Sequence, residues 1–182
     1  MAKILMIVGS LRKNGFHAQL SDYVEKLIGD RAEVEYLDYL DVPFFDQTVE
    51  SDPPEAVLRV RKAVVEADGL WIFSPEYNHN IPGMIKNLLD WLSRPVGGNR
   101  KNPSVLRDKP FTFSCAAGKS CAGHVRNALK EFASVPGAKL VFDTGVGIKL
   151  GAEDFASDIL PLTEETKAAL EEQVRVFLDE IG

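Results

Sequence analysis

The sequence predicts a single α/β domain, residues 1–182, built around a doubly wound and mostly parallel sheet. Its length of 182 residues fits one domain rather than two. Its composition, with 45% hydrophobic and 26% charged residues, is ordinary for a soluble globular protein with a sizeable core. Five short apolar stretches alternate along the chain with five stretches of helical periodicity, and this alternation predicts parallel strands covered by helices.

The predicted strands are short runs rich in apolar residues. The first run is apolar almost throughout, which is typical of a strand buried on both faces. The second run alternates apolar and polar residues, which is the pattern of a strand with one buried face. In chain order, the predicted strands are Lys3–Val8, Ala32–Leu37, Leu70–Phe73, Phe111–Cys115 and Lys139–Phe142.

The predicted helices lie between these strands, where apolar residues recur three or four positions apart. Pro82 fits the first turn of its helix, and the Thr163 hydroxyl is suited to cap the last helix. The helical stretches are Leu20–Ile28, Val57–Val64, Ile81–Leu92, His124–Phe132 and Leu170–Ile181. The stretches expected to be long irregular loops are Asp38–Asp52, Pro95–Asp108 and Asp143–Leu162.

The strand order follows from the handedness of the connections. Right-handed crossovers favour the order 2-1-3-4-5, with helices on both faces in three layers, as in flavodoxin-like folds. Ligands bind such sheets beyond the carboxyl ends of the strands, where the order reverses. The expected site therefore lies between the loops Gly9–His17 and Ser74–Ile81, with Ser114–Gly123 beside them.

The first of these loops has features that suit a phosphate group. It leaves a strand and enters a helix, whose first N–H groups and dipole favour an anion. Ser10 offers a hydroxyl and Arg12 a guanidinium fork, while Gly9 and Gly15 allow close approach of the backbone. The loop lacks the Gly-x-Gly-x-x-Gly dinucleotide pattern and the cysteine that a cysteine phosphatase needs.

The second loop suits a flat heteroaromatic ligand. Tyr77 supplies a ring for packing, and the backbone amides around it are available to polar atoms at the edge of a ligand ring. Pro75 restricts the preceding residue, Ser74, to extended geometry, which helps to fix the shape of the loop.

Charge and cysteine content narrow the class of protein. The net charge of −6 and the pI near 5.1 argue against binding to nucleic acid or to anionic membranes. No stretch approaches the roughly 18 apolar residues of a membrane span. The run Ile4–Val8 is too short for the core of a signal peptide. With only two cysteines, Cys115 and Cys121, the chain is expected in the cytoplasm with free thiols.

Two further motifs resemble a phosphate-binding P-loop and a zinc site, but neither motif is complete. Gly118-Lys119-Ser120 resembles the end of a phosphate-binding P-loop, but the first glycine of that motif would fall at Phe113, inside a predicted strand. Cys115, Cys121 and His124 do not have the spacing of a standard zinc site and lack a fourth ligand. The sequence therefore predicts no metal site.

The order and spacing of these motifs resemble the NAD(P)H-dependent FMN reductase family, which includes quinone, azo-dye and chromate reductases. The resemblance extends over about the whole chain. It rests on the motifs Gly9-Ser10-Leu11-Arg12, Pro75-Glu76-Tyr77-Asn78, Ile81-Pro82-Gly83, Lys86-Asn87, Asp90-Trp91 and Ser93-Arg94-Pro95. Where this family usually has Ser and Asn, the chain has Gly15 and His17.

The resemblance implies an FMN site and a role for each loop. The first loop would hold the phosphate, the second would line the flavin ring, and the third would contact its far edge. The residues implied are Ser10, Arg12, Gly15, Phe16, His17, Pro75, Glu76, Tyr77, Asn78, Ser114, Ala116 and Gly118. His79 is a candidate proton donor beside the ring, because it directly follows the second motif.

The resemblance implies an oxidoreductase in which NADPH or NADH passes hydride to FMN, and a small-molecule acceptor is then reduced. The acceptor would be a quinone, a flavin, an azo dye or a metal oxyanion. An alternative is a non-enzymatic flavin-binding electron carrier or redox-sensing partner protein. The loop pair Phe44-Phe45 either caps the core or packs on a partner subunit. The resemblance implies that the helix carrying Trp91 contacts a second copy, so we expect a homodimer or homotetramer.

Overall fold

The chain folds around one parallel sheet. A computed structural model describes all of residues 1–182. The strands are β1 (Lys3–Val8), β2 (Glu33–Tyr36), β3 (Gly69–Pro75), β4 (Pro110–Ala117), β5 (Lys139–Leu140) and β6 (Val146–Lys149). The sheet has the order β2-β1-β3-β4-β5, with β6 also pairing with β4. The doubly wound fold and its predicted strand order are confirmed.

Helices cover the sheet on both faces. They are α1 (Phe16–Ile28), α2 (Glu55–Glu66), α3 (Gly83–Leu92), α4 (Gly123–Ser134), α5 (Ala152–Ser157) and α6 (Glu164–Ile181). Apolar side chains of α2, α3 and α4 belong to one buried cluster, and those of α1 and α6 belong to another. Along β1, Leu5 and Ile7 enter the first cluster, whereas Ile4 and Met6 enter the second. Successive residues of a strand point to opposite faces, so a continuously apolar strand fills both cores.

The prediction of an irregular loop over Asp143–Leu162 is wrong. This stretch contains β6 and α5. The fifth strand is also shorter than predicted, because Phe142 takes a left-handed conformation with φ of 62° and the chain turns there. β5 pairs only with the start of β4, and β6 pairs with its end, Ser114–Ala117. The alternation of Val146, Ile148 and Leu150 is the sequence signal that could have revealed β6, which is as long as β2.

Gly9 allows the first loop to lie directly against its neighbours. Its N–H donates to the carbonyl oxygen of Phe73 at 2.8 Å, which ties the loop to β3. A β-carbon at Gly9 would lie 2.0 Å from Cδ1 of Ile85, on α3. Glycine at this position therefore brings the loop after β1 close to the loop after β3.

A buried polar network joins α6 to the middle of the sheet. Trp71 Nε1 donates to Ser114 Oγ at 3.0 Å, and Ser114 Oγ donates to Gln173 Oε1 at 2.8 Å. Gln173 Nε2 donates to Thr112 Oγ1 at 2.8 Å and to the Phe113 carbonyl oxygen at 2.9 Å. All four polar side chains are inaccessible to solvent, so each depends on the others for hydrogen bonding.

Replacing Gln173 with leucine is expected to lower the free energy of unfolding by about 2–3 kcal/mol, because buried hydroxyls and a carbonyl lose their partner. Denaturant unfolding measures this change. The control is Gln47→Leu, at an exposed glutamine whose side chain has no hydrogen bond in the structure. A loss in Gln173→Leu no larger than in the control would contradict the role of the network.

Candidate functional site

A cleft lies at the carboxyl ends of β1, β3 and β4, where the strand order reverses. Its wall is formed by the three loops that follow these strands and by residues near β6 and α5. The lining residues are Ser10, Arg12, Gly15, Phe16, His17, Pro75, Glu76, Tyr77, Ala116, Ala117, Gly118, Leu150 and Phe155. The structure thus brings together ten of the twelve residues that the sequence analysis assigned to cofactor binding. Asn78 and Ser114 are the two that do not line it.

One end of the cleft presents the start of α1. Gly15 precedes this helix and provides no side-chain cap, and the first turn contains no acidic residue. The first N–H groups of the helix therefore lack the partners that a capping side chain supplies. Ser10 Oγ accepts a hydrogen bond from the N–H of Arg12 at 3.3 Å, which leaves the hydroxyl hydrogen of Ser10 free to donate. This end of the cleft is suited to an anion.

A carboxylate of the chain itself already lies at this end. Asp158 follows α5 in a left-handed conformation, with φ of 61°, and its Oδ2 accepts from the guanidinium of Arg12. Its other oxygen, Oδ1, is buried and has no hydrogen-bond partner. The guanidinium of Arg12 has this carboxylate as its one hydrogen-bond partner in the structure. The donor set fits the phosphate of FMN, since phosphate is the anion that an arginine fork binds well.

His17 lies beneath the cleft as a neutral side chain. It is 4% exposed, and its Nε2 accepts a hydrogen bond from the N–H of Ala116 at 3.3 Å. Burial lowers the pKa of His17 to about 4 from the ordinary 6.5. The side chain therefore joins α1 to β4 and carries no charge at neutral pH.

This low pKa predicts a loss of stability in acid. Between the unfolded value of 6.5 and the folded value of about 4, the unfolded chain binds more protons at His17. The free energy of unfolding therefore falls as the pH decreases through this window, by about 3 kcal/mol from this group. Denaturant unfolding at neutral pH and near pH 4 measures the fall. In His17→Gln it is expected to be smaller by that amount, and an equal fall would contradict the assignment.

The second loop forms a tight turn after β3. The N–H of Tyr77 donates to the carbonyl of Asn80 at 3.2 Å, and the N–H of Asn80 donates back at 3.0 Å. Asn78 and His79, between them, both have positive φ, as in a type I′ turn. The turn places the half-exposed ring of Tyr77 at the edge of the cleft and holds Asn78 and His79 at the tip, away from its lining.

Glu76 has a role that the sequence did not reveal. Its carboxylate accepts from Ser120 Oγ at 2.6 Å and from the N–H groups of His124 and Val125 at 2.9 and 3.1 Å. Burial acts to raise the pKa of Glu76, but these hydrogen bonds outweigh it and hold the pKa below its ordinary value. Glu76 thereby caps α4, which begins after the left-handed Ala122 without a local cap.

The far wall of the cleft is made of small and aromatic residues. Ala116 and Ala117, the last residues of β4, and Gly118, which follows them, lie along this wall. Phe155 of α5 packs edge-on against Phe16, with ring centroids 5.5 Å apart and an interplanar angle of 84°. The sequence analysis did not assign Ala117, Leu150 or Phe155 to the site, and the last two lie in the stretch that it expected to be an irregular loop.

Ser114 and the cysteines lie outside the expected flavin edge. Ser114 points into the buried network with Trp71 and Gln173. Cys115 is buried, and burial raises the pKa of its thiol to about 12, so it is not a reactive thiolate at neutral pH. Cys121 is partly exposed, and both cysteines are free thiols.

Comparison with known proteins identifies the family of the chain. Residues 2–152 match the family described as NADPH-dependent FMN reductase. The chain belongs to this family. The predicted family is therefore confirmed, together with the class of enzyme: the chain is an FMN-dependent NAD(P)H oxidoreductase.

Individual relatives agree with the family. A 2-hydroxy-1,4-benzoquinone reductase from Burkholderia sp is 40% identical over 95 residues, but the match spans only 52% of each chain. A quinone reductase from Escherichia coli K12 is 31% identical over 134 residues, which cover 70% of this chain and 69% of the relative. The flavoenzyme NAD(P)H:(acceptor) oxidoreductase FerB from Paracoccus denitrificans superposes with a TM-score of 0.83 at 30% identity, covering 100% and 97% of the two chains.

The same fold also occurs in a solved structure of much lower sequence identity. An azoreductase from Bacillus anthracis superposes with a TM-score of 0.66 at 18% identity, which supports the fold alone. No helix of the FMN reductase chain combines the length and the apolar character needed to cross a lipid bilayer.

Proposed function

We propose that this FMN reductase binds FMN in the cleft between the three loops and reduces a quinone with NAD(P)H. The observation that carries the proposal is the composition of the cleft from end to end. An uncapped helix start beside Arg12 lies at one end, and a slot between Tyr77 and Gly118 lies at the other. The quinone is proposed because relatives at 31–40% identity are named as quinone or benzoquinone reductases.

The phosphate of FMN would be held by the first loop. Arg12 supplies a guanidinium fork, Ser10 a hydroxyl hydrogen, and the residues from Gly15 to His17 the N–H groups at the start of α1. Backbone donors take the place of the side chains that Gly15 and His17 do not supply. Binding requires the phosphate to replace the carboxylate of Asp158 as the partner of Arg12.

The flavin ring would lie between the second and third loops. Pro75, Glu76 and Tyr77 line the cleft at the end of β3, and Ala116 and Gly118 line it at the end of β4. We propose that Glu76 contributes through its backbone, because its carboxylate is engaged in capping α4. Asn78 would act by shaping the turn, since its left-handed conformation closes the loop that holds Tyr77.

The chemistry of the reaction belongs to FMN, which when bound accepts a hydride from NAD(P)H and passes electrons to the acceptor. The protein positions the ring and fixes the charge states of the ionisable residues around it. His17 is neutral and buried, and Glu76 is held ionised by three donors. His79 lies at the tip of the turn outside the cleft lining, so we assign the positioning of the reactants to the loops rather than to this side chain.

Steady-state oxidation of NADPH and NADH by the FMN-loaded protein tests the proposal. With benzoquinone as acceptor, we expect turnover that saturates with quinone and that the FMN-free protein does not show. Free FMN at the same concentration is the control. If reduction of the bound flavin is no faster than that of free FMN, the chain is an electron carrier or a redox-sensing protein, and the proposed activity is wrong.

We further propose that residues 1–182 act as one FMN-binding domain in the cytoplasm, as a homodimer or homotetramer. Phe45 packs edge-on against Trp91 with centroids 4.9 Å apart, whereas the neighbouring Phe44 is 87% exposed. An exposed aromatic side chain such as that of Phe44 favours an interface between two subunits. Sedimentation of the wild type and of Phe44→Ser measures the assembly, and a monomeric wild type would contradict it.

A further inference from the structure

Three metal-binding side chains meet beside the cleft. Glu76 leaves the end of β3, His79 lies on the turn that follows, and His124 is the second residue of α4. One potential ligand atom from each lies within 4.8 Å of the others. The cluster is formed by two chain segments more than forty residues apart, so it is a product of the fold.

The two imidazoles are held close together and are free to bind. Their ring centroids are 4.2 Å apart with an interplanar angle of 21°. Both side chains are exposed, and neither ring takes part in a hydrogen bond within the chain. The turn fixes the side of the loop from which His79 projects, because Tyr77 and Asn80 bond to each other across it.

Glu76 can serve as the third metal ligand. Its Oε2 accepts from two backbone N–H groups, whereas Oε1 accepts only from Ser120. An ionised carboxylate oxygen has about two lone-pair directions, so Oε1 keeps one free. The same hydrogen bonds fix the carboxylate in place, which is the role that outer partners of a metal ligand usually have.

We propose that Glu76, His79 and His124 form a binding site for a divalent transition-metal ion of the zinc type. Two imidazole nitrogens and one carboxylate oxygen form a ligand set that Zn²⁺ takes in proteins, with a further position for water. Binding requires small rotations of two exposed rings from the stacked arrangement. The sequence predicted no metal here, because its candidate set combined His124 with the buried Cys115 and with Cys121. This inference does not depend on the proposed quinone activity.

Titration of untagged, FMN-loaded protein with Zn²⁺ by calorimetry tests the site, and Co²⁺ absorption reports the ligand geometry. We expect one ion per chain for the wild type. His79→Asn, which tolerates the left-handed backbone, and His124→Gln should each weaken binding by about tenfold or more. The only other histidine, His17, is 4% exposed, so the double variant has no exposed imidazole.

Cys121→Ser is the matched control, because Cys121 is the one partly exposed thiol and precedes His124 by three residues. It should bind Zn²⁺ like the wild type, and the thermal unfolding of all variants without metal should be similar. A wild type that does not bind Zn²⁺ overturns the proposal. So does a double histidine variant that binds as tightly as the wild type, or a loss of binding in Cys121→Ser, which would place the ion elsewhere.

Discussion

Replacing Arg12 with glutamine is expected to weaken FMN binding by about 100-fold, or close to 3 kcal/mol. The reason is that Arg12 is the cationic side chain that lines the cleft at the start of α1. Charge-assisted hydrogen bonds to phosphate oxygens are about twice as strong as neutral ones. Fluorescence titration of the protein with FMN, and in parallel with riboflavin, measures the change. The loss should be much smaller for riboflavin, which lacks the phosphate.

Two variants serve as controls for Arg12. Arg175→Gln removes an exposed arginine that pairs with Glu172 and Asp179 on α6, and it should leave FMN affinity unchanged. Asp158→Asn removes the carboxylate that pairs with Arg12, and it should leave the affinity for FMN unchanged or increase it. Wild-type affinity for FMN in Arg12→Gln would contradict the assignment of the phosphate to this end of the cleft.

Replacing Gly118 with leucine is expected to weaken FMN binding by up to about 100-fold, while the fold remains intact. Gly118 lines the cleft, and a β-carbon added there meets no heavy atom within 4 Å. A larger side chain is therefore tolerated by the protein but fills the slot proposed for the ring. The flavin absorption that remains after desalting measures retention, and thermal unfolding of the flavin-free protein measures the fold.

Gly83 supplies the matched control for Gly118. A β-carbon at Gly83 also meets nothing within 4 Å, but this residue starts α3 and does not line the cleft. Gly83→Leu should retain FMN like the wild type. If Gly118→Leu also retains FMN fully, the ring does not lie in the slot between Tyr77 and Gly118.

The sheet order was predictable because the early strands show an apolar run or an alternation in the sequence, and right-handed crossovers then favour one order. Lys3–Val8 fills two cores, and both of its faces are visible as a run of apolar letters. The places of Leu150 and Phe155 in the cleft were not predictable in this way. Leu150 ends an alternation with Val146 and Ile148 that indicates a strand but not a site, and Phe155 belongs to a six-residue helix that is too short to show a periodicity. Their part in the cleft depends on tertiary packing.

The sequence predicted which loops form the cleft better than it predicted where their side chains point. Ten of the twelve residues line the cleft because the loops after neighbouring parallel strands meet at one edge of the sheet. The direction of a side chain is set by partners that lie far along the chain. Ser114 turns inward because Gln173 and Trp71 bond to it, and the carboxylate of Glu76 turns toward the start of α4.

Anaerobic reduction of the reconstituted protein tests directly whether FMN bound to the chain accepts electrons from NAD(P)H and passes them to a quinone. The protein is loaded with FMN, desalted, and mixed with NADPH in the absence of oxygen while the visible flavin absorption is followed. We expect the desalted protein to keep its flavin band, NADPH to bleach the band, and added benzoquinone to restore it. A desalted protein without flavin would contradict FMN binding in the cleft. A retained band that neither NADPH nor NADH bleaches would contradict the proposed reaction.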